Sequence, residues 1–187
     1  MLQSPPDQIL LEQLRTAAGS GPVLILTHDN PDPDALASGK ALATLLKTAW
    51  TIPSRLLYSG LVLRAENRAL LELLTPEWEH SDMPADLDRY SSVAMVDTQP
   101  GAGNNRLTTN SVPQIVIDHH LPVREALGEV PYVDVQPEIG ATVTLLEQYL
   151  EAAGILPDSD LATAMFYGLK TDTRGLSRGT SPADTTV

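Results

Sequence analysis

The chain has 187 residues, a length suited to one α/β domain, and its 42% hydrophobic content excludes wholesale disorder. A formal net charge of −12 excludes broad electrostatic binding of long DNA or RNA, which needs Lys and Arg to displace counterions; a small phosphorylated substrate stays open, because bound cations reverse local charge. Cysteine is absent, which removes disulfides, zinc–thiolate sites and thiol nucleophiles and fits a cytoplasmic protein.

The N-terminus lacks the basic start of a signal peptide, and no apolar stretch is long enough to span a bilayer, so no membrane association is expected. Ile9, Leu10, Leu11, Leu14, Ala17 and Ala18 recur at helical spacing and predict a helix over 7–18, broken by Gly19-Ser20-Gly21-Pro22. Residues 23–27 read as a continuous apolar strand, as in a sheet covered on both faces. A helix follows from Asp34 to about Trp50, with Leu36, Leu42, Leu45, Leu46 and Ala49 on its buried face. Next come a strand over 54–58, a helix over 67–74 ended by Thr75-Pro76, and an acidic stretch, 76–90, that reads as irregular. Residues 92–96 are a second apolar strand, followed by a Gly/Asn-rich loop over 98–105. Strands are expected over 114–117 and 130–135, and helices over 141–153 and 161–169. The closing SPADTTV, 181–187, offers no element to close on, and a fragment of a longer protein is expected.

Alternating strands and helices imply βαβ units, an α/β fold and a mainly parallel sheet flanked by helices on both faces. Ligands of such sheets bind at the carboxyl ends of the strands. Three strands end in acids or imidazoles: the first in His28, Asp29, Asp32 and Asp34, another in Asp97, another in Asp118, His119 and His120. The fold rule brings these groups to one edge. Asp and His donors without Cys suit Mn²⁺, Mg²⁺, Co²⁺ or Zn²⁺, and a carboxylate-rich set leans toward the harder ions. About four Asp and two His over-supply one cation; two cations sharing a carboxylate use them better. Such a pair activates water against a phosphate ester or anhydride.

Each group also has a plainer role. Asp32 or Asp34 suits the N-cap of the following helix, with Pro33 in its first turn. Asp97-Thr98 before Pro100-Gly101 suits an ordinary turn. His80 reads as structural. Asp172 falls at a helix C-terminus, where the dipole disfavours an acid and asks for a cation. Two other motifs fail: Ser38-Gly39-Lys40 lacks the upstream glycine of a phosphate-binding loop, because position 34 is Asp, and the GAG at 101–103 meets Arg106 where a dinucleotide fingerprint needs its third glycine.

Taken together, the clusters resemble the DHH phosphoesterase family. Its name-giving triplet stands as Asp118-His119-His120, its first motif as His28, Asp32 and Asp34 in THDNPDPDA, its second as Asp97 in MVDTQPG, and its fourth as Asp172 in YGLKTDTRG. The resemblance spans nearly the whole chain and is nearest to the oligoribonuclease and 3′-phosphoadenosine 5′-phosphate phosphatase branch of these RecJ-like proteins. One departure is Arg174, which stands between Thr-Asp-Thr and Gly175.

The resemblance implies that 1–187 is a DHH catalytic domain lacking a C-terminal substrate-binding domain. It implies two divalent ions, Mn²⁺ by preference with Mg²⁺ or Co²⁺ as alternatives. One would be held by His28, Asp32 and Asp97, the other by Asp34, Asp97, His119 and Asp172. Asp97, His119 and His120 would then be catalytic, His120 meeting the scissile phosphate, Asp118 orienting a histidine, and Arg174 or Arg178 reaching substrate. The implied activity is hydrolysis of phosphate esters in short oligonucleotides or small nucleotides by a two-metal-activated water; a homodimer is left open. Inorganic pyrophosphatase of the family II type, cyclic-dinucleotide phosphodiesterase and a non-catalytic metal- and nucleotide-binding sensor are the alternatives.

Overall fold

The structure is a computed structural model and describes residues 8–83, 86–108, 110–185 and 187; residue 7, where the first helix is expected to begin, lies outside the described residues. Among the described residues six strands form, β1 (Val23–Leu26), β2 (Ser54–Tyr58), β3 (Trp78–His80), β4 (Ser92–Val96), β5 (Ile115–Asp118) and β6 (Tyr132–Val135). They lie in the order β3-β2-β1-β4-β5-β6, and every pairing is parallel. Five α-helices accompany them: α1 (Gln8–Ala18), α2 (Pro33–Trp50), α3 (Ala65–Leu73), α4 (Thr142–Ala152) and α5 (Ser159–Asp172).

The central strands are apolar throughout because both faces are covered. Val23, Ile25, Ala94, Val96, Ile115 and Ile117 pack into one large core with residues of all five α-helices. Their neighbours Leu24, Leu26, Val93, Met95 and Val116 face the other way, against Leu87, Tyr90, Leu107, Leu127 and Val130. Right-handed crossovers explain the split. The steps from β1 to β2 and β3 run one way across the sheet through α2 and α3. The steps from β4 to β5 and β6 run the other way, so their connections cross the opposite face. Those connections carry loops and a short 3₁₀ turn (Glu125–Glu129) rather than α-helices, and a second 3₁₀ turn (Leu87–Arg89) joins them.

Three stretches differ from the sequence expectation. The irregular 76–90 contains β3, which pairs Leu56 with Trp78. Its single apolar residue gives no periodicity to read; the strand forms because Trp78 buries over α2. A Cβ on Gly39 would sit 2.2 Å from the Trp78 ring, and the indole N–H donates to the Leu36 carbonyl at 2.9 Å. The Ser-Gly-Lys sequence is thus a packing notch, and Lys40 completes it by donating to Leu74 O at the end of α3. Helix α5 starts earlier, where Asp158 caps it by accepting from Leu161 N at 2.8 Å, and runs on through Asp172, a polar last turn that hydrophobic periodicity cannot reveal.

The closing residues do find an element to close on. Pro182–Thr185 is a 3₁₀ turn that buries Asp184 to 1% exposure. The Asp184 carboxylate accepts from Gly140 N, Thr144 Oγ1, Ser181 N and Ser181 Oγ. An acid among small polar residues looks like a solvated turn in sequence; two donors from the distant start of α4, with two from Ser181 beside it, make it a clasp.

Candidate metal centre at the carboxyl edge of the sheet

Strand order reverses between β1 and β4, and a crevice opens where the two chains leave the sheet in different directions. The β1 exit supplies His28, Asp32 and Asp34; the β4 exit supplies Asp97. The next strand, β5, supplies Asp118 and leads into His119 and His120, and the end of α5 supplies Asp172. Three groups of donor atoms, each within 4.8 Å of one another, result: His28, Asp32 and Asp97; Asp34, His119 and Asp172; and Asp97, His119 and His120. Asp97 belongs to two of them and joins the halves.

The histidines are oriented for ligation. Nδ1 of His28 lies 2.9 Å from Asp29 O, and Nδ1 of His119 lies 3.1 Å from Ile139 O. A ring nitrogen facing a carbonyl keeps its proton, which makes each Nε2 the atom that ligates once it gives up its own. His28 Nε2 stands 3.4 Å from Asp97 and 3.9 Å from Asp32. His119 Nε2 stands 3.1 Å from Asp172, 3.6 Å from Asp97 and 3.9 Å from Asp34. It is buried yet makes no well-aligned hydrogen bond, an orphaned polar atom ringed by carboxylates. A cation in that ring satisfies both, so the donor set fits divalent metal.

The carboxylates are held from behind. Asp32 is the N-cap of α2, with Pro33 beside it, and accepts from Ala35 N at 3.0 Å through Oδ1. The capping role and a place in the centre coexist in one side chain. Asp34 is fully buried and accepts from Thr142 N at 2.7 Å and Val143 N at 2.8 Å. It therefore caps α4 from another helix, where Ala141 supplies no side-chain cap of its own. Thr142 Oγ1 donates to Asp97 Oδ1 at 2.8 Å, so the start of α4 steadies both acids. Asp97 itself holds φ at 57°, in the left-handed region, a strained posture that turns its carboxylate away from the strand.

Electrostatics follow from the crowding. Burial opposes charge on His28, but its hydrogen bond and attraction to Asp97 prevail and lift it to about 9. Burial opposes His119 as well, and Asp172, Asp34 and Asp97 lift it to about 10. Burial, with Asp97 nearby, pushes Asp34 well above the usual carboxylate range and Asp32 upward too. Burial also works against Asp97, yet the His28 hydrogen bond and charge, with His119 and His120, hold it below its ordinary value. Protons on imidazoles thus supply the positive charge this edge demands.

His120 is more open, 53% exposed, with Nδ1 2.9 Å from Asp118 Oδ1 and 3.5 Å from Asp97. Its hydrogen bond to Asp118 outweighs burial and raises its pKa. Asp118 is fully buried and also accepts from Gln99 Nε2 at 2.6 Å. A cleft of about 290 Å³ opens here, lined by His28, Asp32, Asp97, Gln99, His120 and Arg124 among others. Arg174 and Arg178 are exposed on the segment after α5. His80 stands outside the centre, against Tyr58 and 3.4 Å from Asp82.

Sequence reasoning missed four residues that shape this edge: Gln99, Thr142, Gly168 and Asp184. Gly168 lets α5 touch α2, since a Cβ there would lie 3.0 Å from Asp34 Cα. Gln99 had a readable signal, an amide directly after Asp97-Thr98; the others act through contacts 40 or more residues away in sequence.

A buried carboxylate and imidazole centre at the switch point of an all-parallel α/β sheet defines the class. Residues 22–169 match the model of the DHH family, N-terminal domain, and the chain belongs to that family. It is 40% identical over 169 residues to an uncharacterized protein of Methanocaldococcus jannaschii, covering 87% of this chain and 33% of that one. It is 28% identical over 179 residues to the bifunctional oligoribonuclease and PAP phosphatase NrnA of Thermus thermophilus, covering 90% and 50%. A probable manganese-dependent inorganic pyrophosphatase of Streptococcus agalactiae is 23% identical over 161 residues, covering 86% and 51%. The chain thus spans from a third to about half the length of these relatives. A crystal structure of an exopolyphosphatase-related protein from Bacteroides fragilis shares the fold, with a TM-score of 0.72 and 16% identity over 99% of this chain and 56% of that one. Among the described residues no helix is long and apolar enough to cross a membrane.

Proposed function

We propose that this chain is the catalytic domain of a metal-dependent phosphoesterase acting on small nucleotides or short oligonucleotides. The observation that carries the reading is the shared position of Asp97 between the His28–Asp32 and His119 donor groups. His28, Asp32 and Asp97 hold one divalent ion; Asp34, Asp97, His119 and Asp172 hold the other, with Mn²⁺ the first candidate in view of the manganese-dependent relative. Two bound cations supply Lewis acidity, which makes water nucleophilic at neutral pH and neutralises charge on phosphoryl oxygens. The protein's share is placement. His120, open to the cleft and fixed through Nδ1 by Asp118, presents Nε2 to a phosphate and is poised to give a proton to the departing oxygen. Asp97, steadied by Thr142, keeps the two halves of the centre in register. The relation to the Thermus thermophilus protein favours nucleotide over inorganic substrates.

The test is turnover of a diadenylate, 3′-phosphoadenosine 5′-phosphate, cyclic di-AMP and pyrophosphate by the Mn²⁺-loaded protein. Hydrolysis of the first two supports the proposal. Preference for pyrophosphate moves the chain to the pyrophosphatases, and bound metal without turnover of any substrate makes it a sensor.

A further inference from the structure

The cleft beside the centre is rich in acids and imidazoles, yet an arginine without a carboxylate partner among the described residues also lines it. Arg124 lines it, is half-buried, and forms no ion pair among the described residues. Arg106, on the loop after β4, is by contrast already engaged 3.3 Å from Asp29. An arginine left unpaired beside carboxylates is placed for an anion that arrives from outside, and its planar fork suits phosphate.

Its position is fixed relative to the centre. Gln99, 3% exposed, donates through Nε2 to Asp118 Oδ2 and to the His120 carbonyl, at 2.6 and 2.9 Å. Through Oε1 it accepts the backbone N–H of Arg124 at 2.9 Å. One buried amide therefore sets the spacing between His120 and Arg124. On the facing loop, the Asn104 side-chain oxygen accepts from Thr98 Oγ1 at 3.0 Å, which leaves its NH₂ group to donate into the cleft it lines.

We propose that Arg124, with Asn104 beside it, is a second anion subsite that takes a phosphate other than the one at the carboxylate–imidazole centre. The ligand class is a nucleotide bearing two separated phosphates, such as a nucleoside 3′,5′-bisphosphate or a 5′-phosphorylated dinucleotide. The cleft's 290 Å³ stands at the small end of small-molecule sites, which fits one nucleotide unit at a time rather than a longer stretch of polymer. This inference rests on the phosphoesterase reading and sharpens its substrate.

The test compares Mn²⁺-loaded wild type, Arg124→Ala and Arg124→Lys in two ways. Hydrolysis is measured on diadenylate with and without a 5′ phosphate. Binding of adenosine 3′,5′-bisphosphate and adenosine 3′-monophosphate is measured by titration calorimetry. Wild type should favour the doubly phosphorylated ligand about tenfold or more in both assays, as expected of a charge-assisted contact. Arg124→Ala should bring both ratios toward one, and Arg124→Lys should keep part of them. The loop is held by the backbone of Arg124, so truncating its side chain leaves the Gln99 contact in place. Equal ratios in wild type and Arg124→Ala overturn the subsite, as does a wild type with no preference. If wild type hydrolyses neither dinucleotide while Arg124→Ala still abolishes the binding preference, the phosphoesterase reading fails and the subsite stands.

Discussion

Gly168→Ala is the smallest change that separates packing at this centre from its ligands. An added methyl would meet Asp34 Cα at 3.0 Å, Pro33 O at 3.1 Å and Asp34 N at 3.3 Å. All three are backbone atoms in the first turn of α2, so no flexible side chain can swing aside. Overpacking of this kind costs about 1–3 kcal/mol. Alanine's better helix propensity returns about 1 kcal/mol, leaving a net loss of about 0–2 kcal/mol. For a domain of this size, at about 2–4 °C per kcal/mol, that lowers Tm by no more than about 8 °C.

The larger effect falls on the site. Relief of the clash moves α5 away from α2 by several tenths of an ångström, and Asp172 travels with it. Metal ligands tolerate about 0.2 Å, so the Asp34–His119–Asp172 group should loosen while His28–Asp32–Asp97 stays intact. Calorimetric titration with Mn²⁺ should show one site near wild-type affinity and one weakened about 10–100-fold, the range of supporting-contact losses. Gly128→Ala is the control, because a Cβ there meets nothing within 4 Å. Two Mn²⁺ bound to Gly168→Ala as tightly as to wild type would refute the reasoning, whatever happens to Tm.

Asp97→Ala should remove both ions, since its carboxylate serves both halves; metal content unchanged by elemental analysis would end the bridging assignment. In the metal-free protein His28 and His119 titrate at about 9 and about 10, above the ordinary 6.5. The folded state then holds more protons than the unfolded one between pH 6.5 and those values. The stabilisation is complete below pH 6.5 and is lost as pH rises through about 9 and 10, so the metal-free Tm should fall between pH 7 and 10. The same protons must leave when metal enters, and Mn²⁺ titrations at pH 7 in buffers of differing ionisation enthalpy should register a release of close to two; no release contradicts the assignment. Asp184→Ala strands the donors of Gly140, Thr144 and Ser181 and should cost at least about 2 kcal/mol by chemical denaturation. A wild-type denaturation midpoint would show that the clasp contributes nothing.

Much of the sheet was legible because its strands are unbroken apolar runs that stop at acids. The runs at 23–27, 92–96 and 114–117 placed β1, β4 and β5 to within a residue, and the strand-end rule gathered their acids on one edge. What stayed hidden has a common physical cause. β3 exists through one tryptophan lodged in a notch on α2, a contact between residues 39 apart in sequence with no periodicity. The last turn of α5 is polar, so amphipathic spacing ended at Leu169, although the helix carries Asp172 onward to His119. Asp34 was read as a local cap or a ligand; its backbone partners lie 108 and 109 residues later, beyond any pattern. Helices were expected on both faces of the sheet, and on the second face they take the 3₁₀ form. The crossovers toward β6 are too short in apolar residues for α-helices, and 3₁₀ turns and loops do that work.

The bond between Asp34 and the start of α4 also bears on the order in which the molecule can be made. During synthesis the segment through β6 emerges with His28, Asp32 and Asp97 already able to meet. Asp34 at that stage has neither the amides of Thr142 and Val143 nor Asp172 for company. One half of the centre can therefore form on a nascent chain, whereas the other must await the stretch from Thr142 to Asp172. A contact separated by so many residues closes slowly, since the intervening loop entropy is lost before the bond is gained.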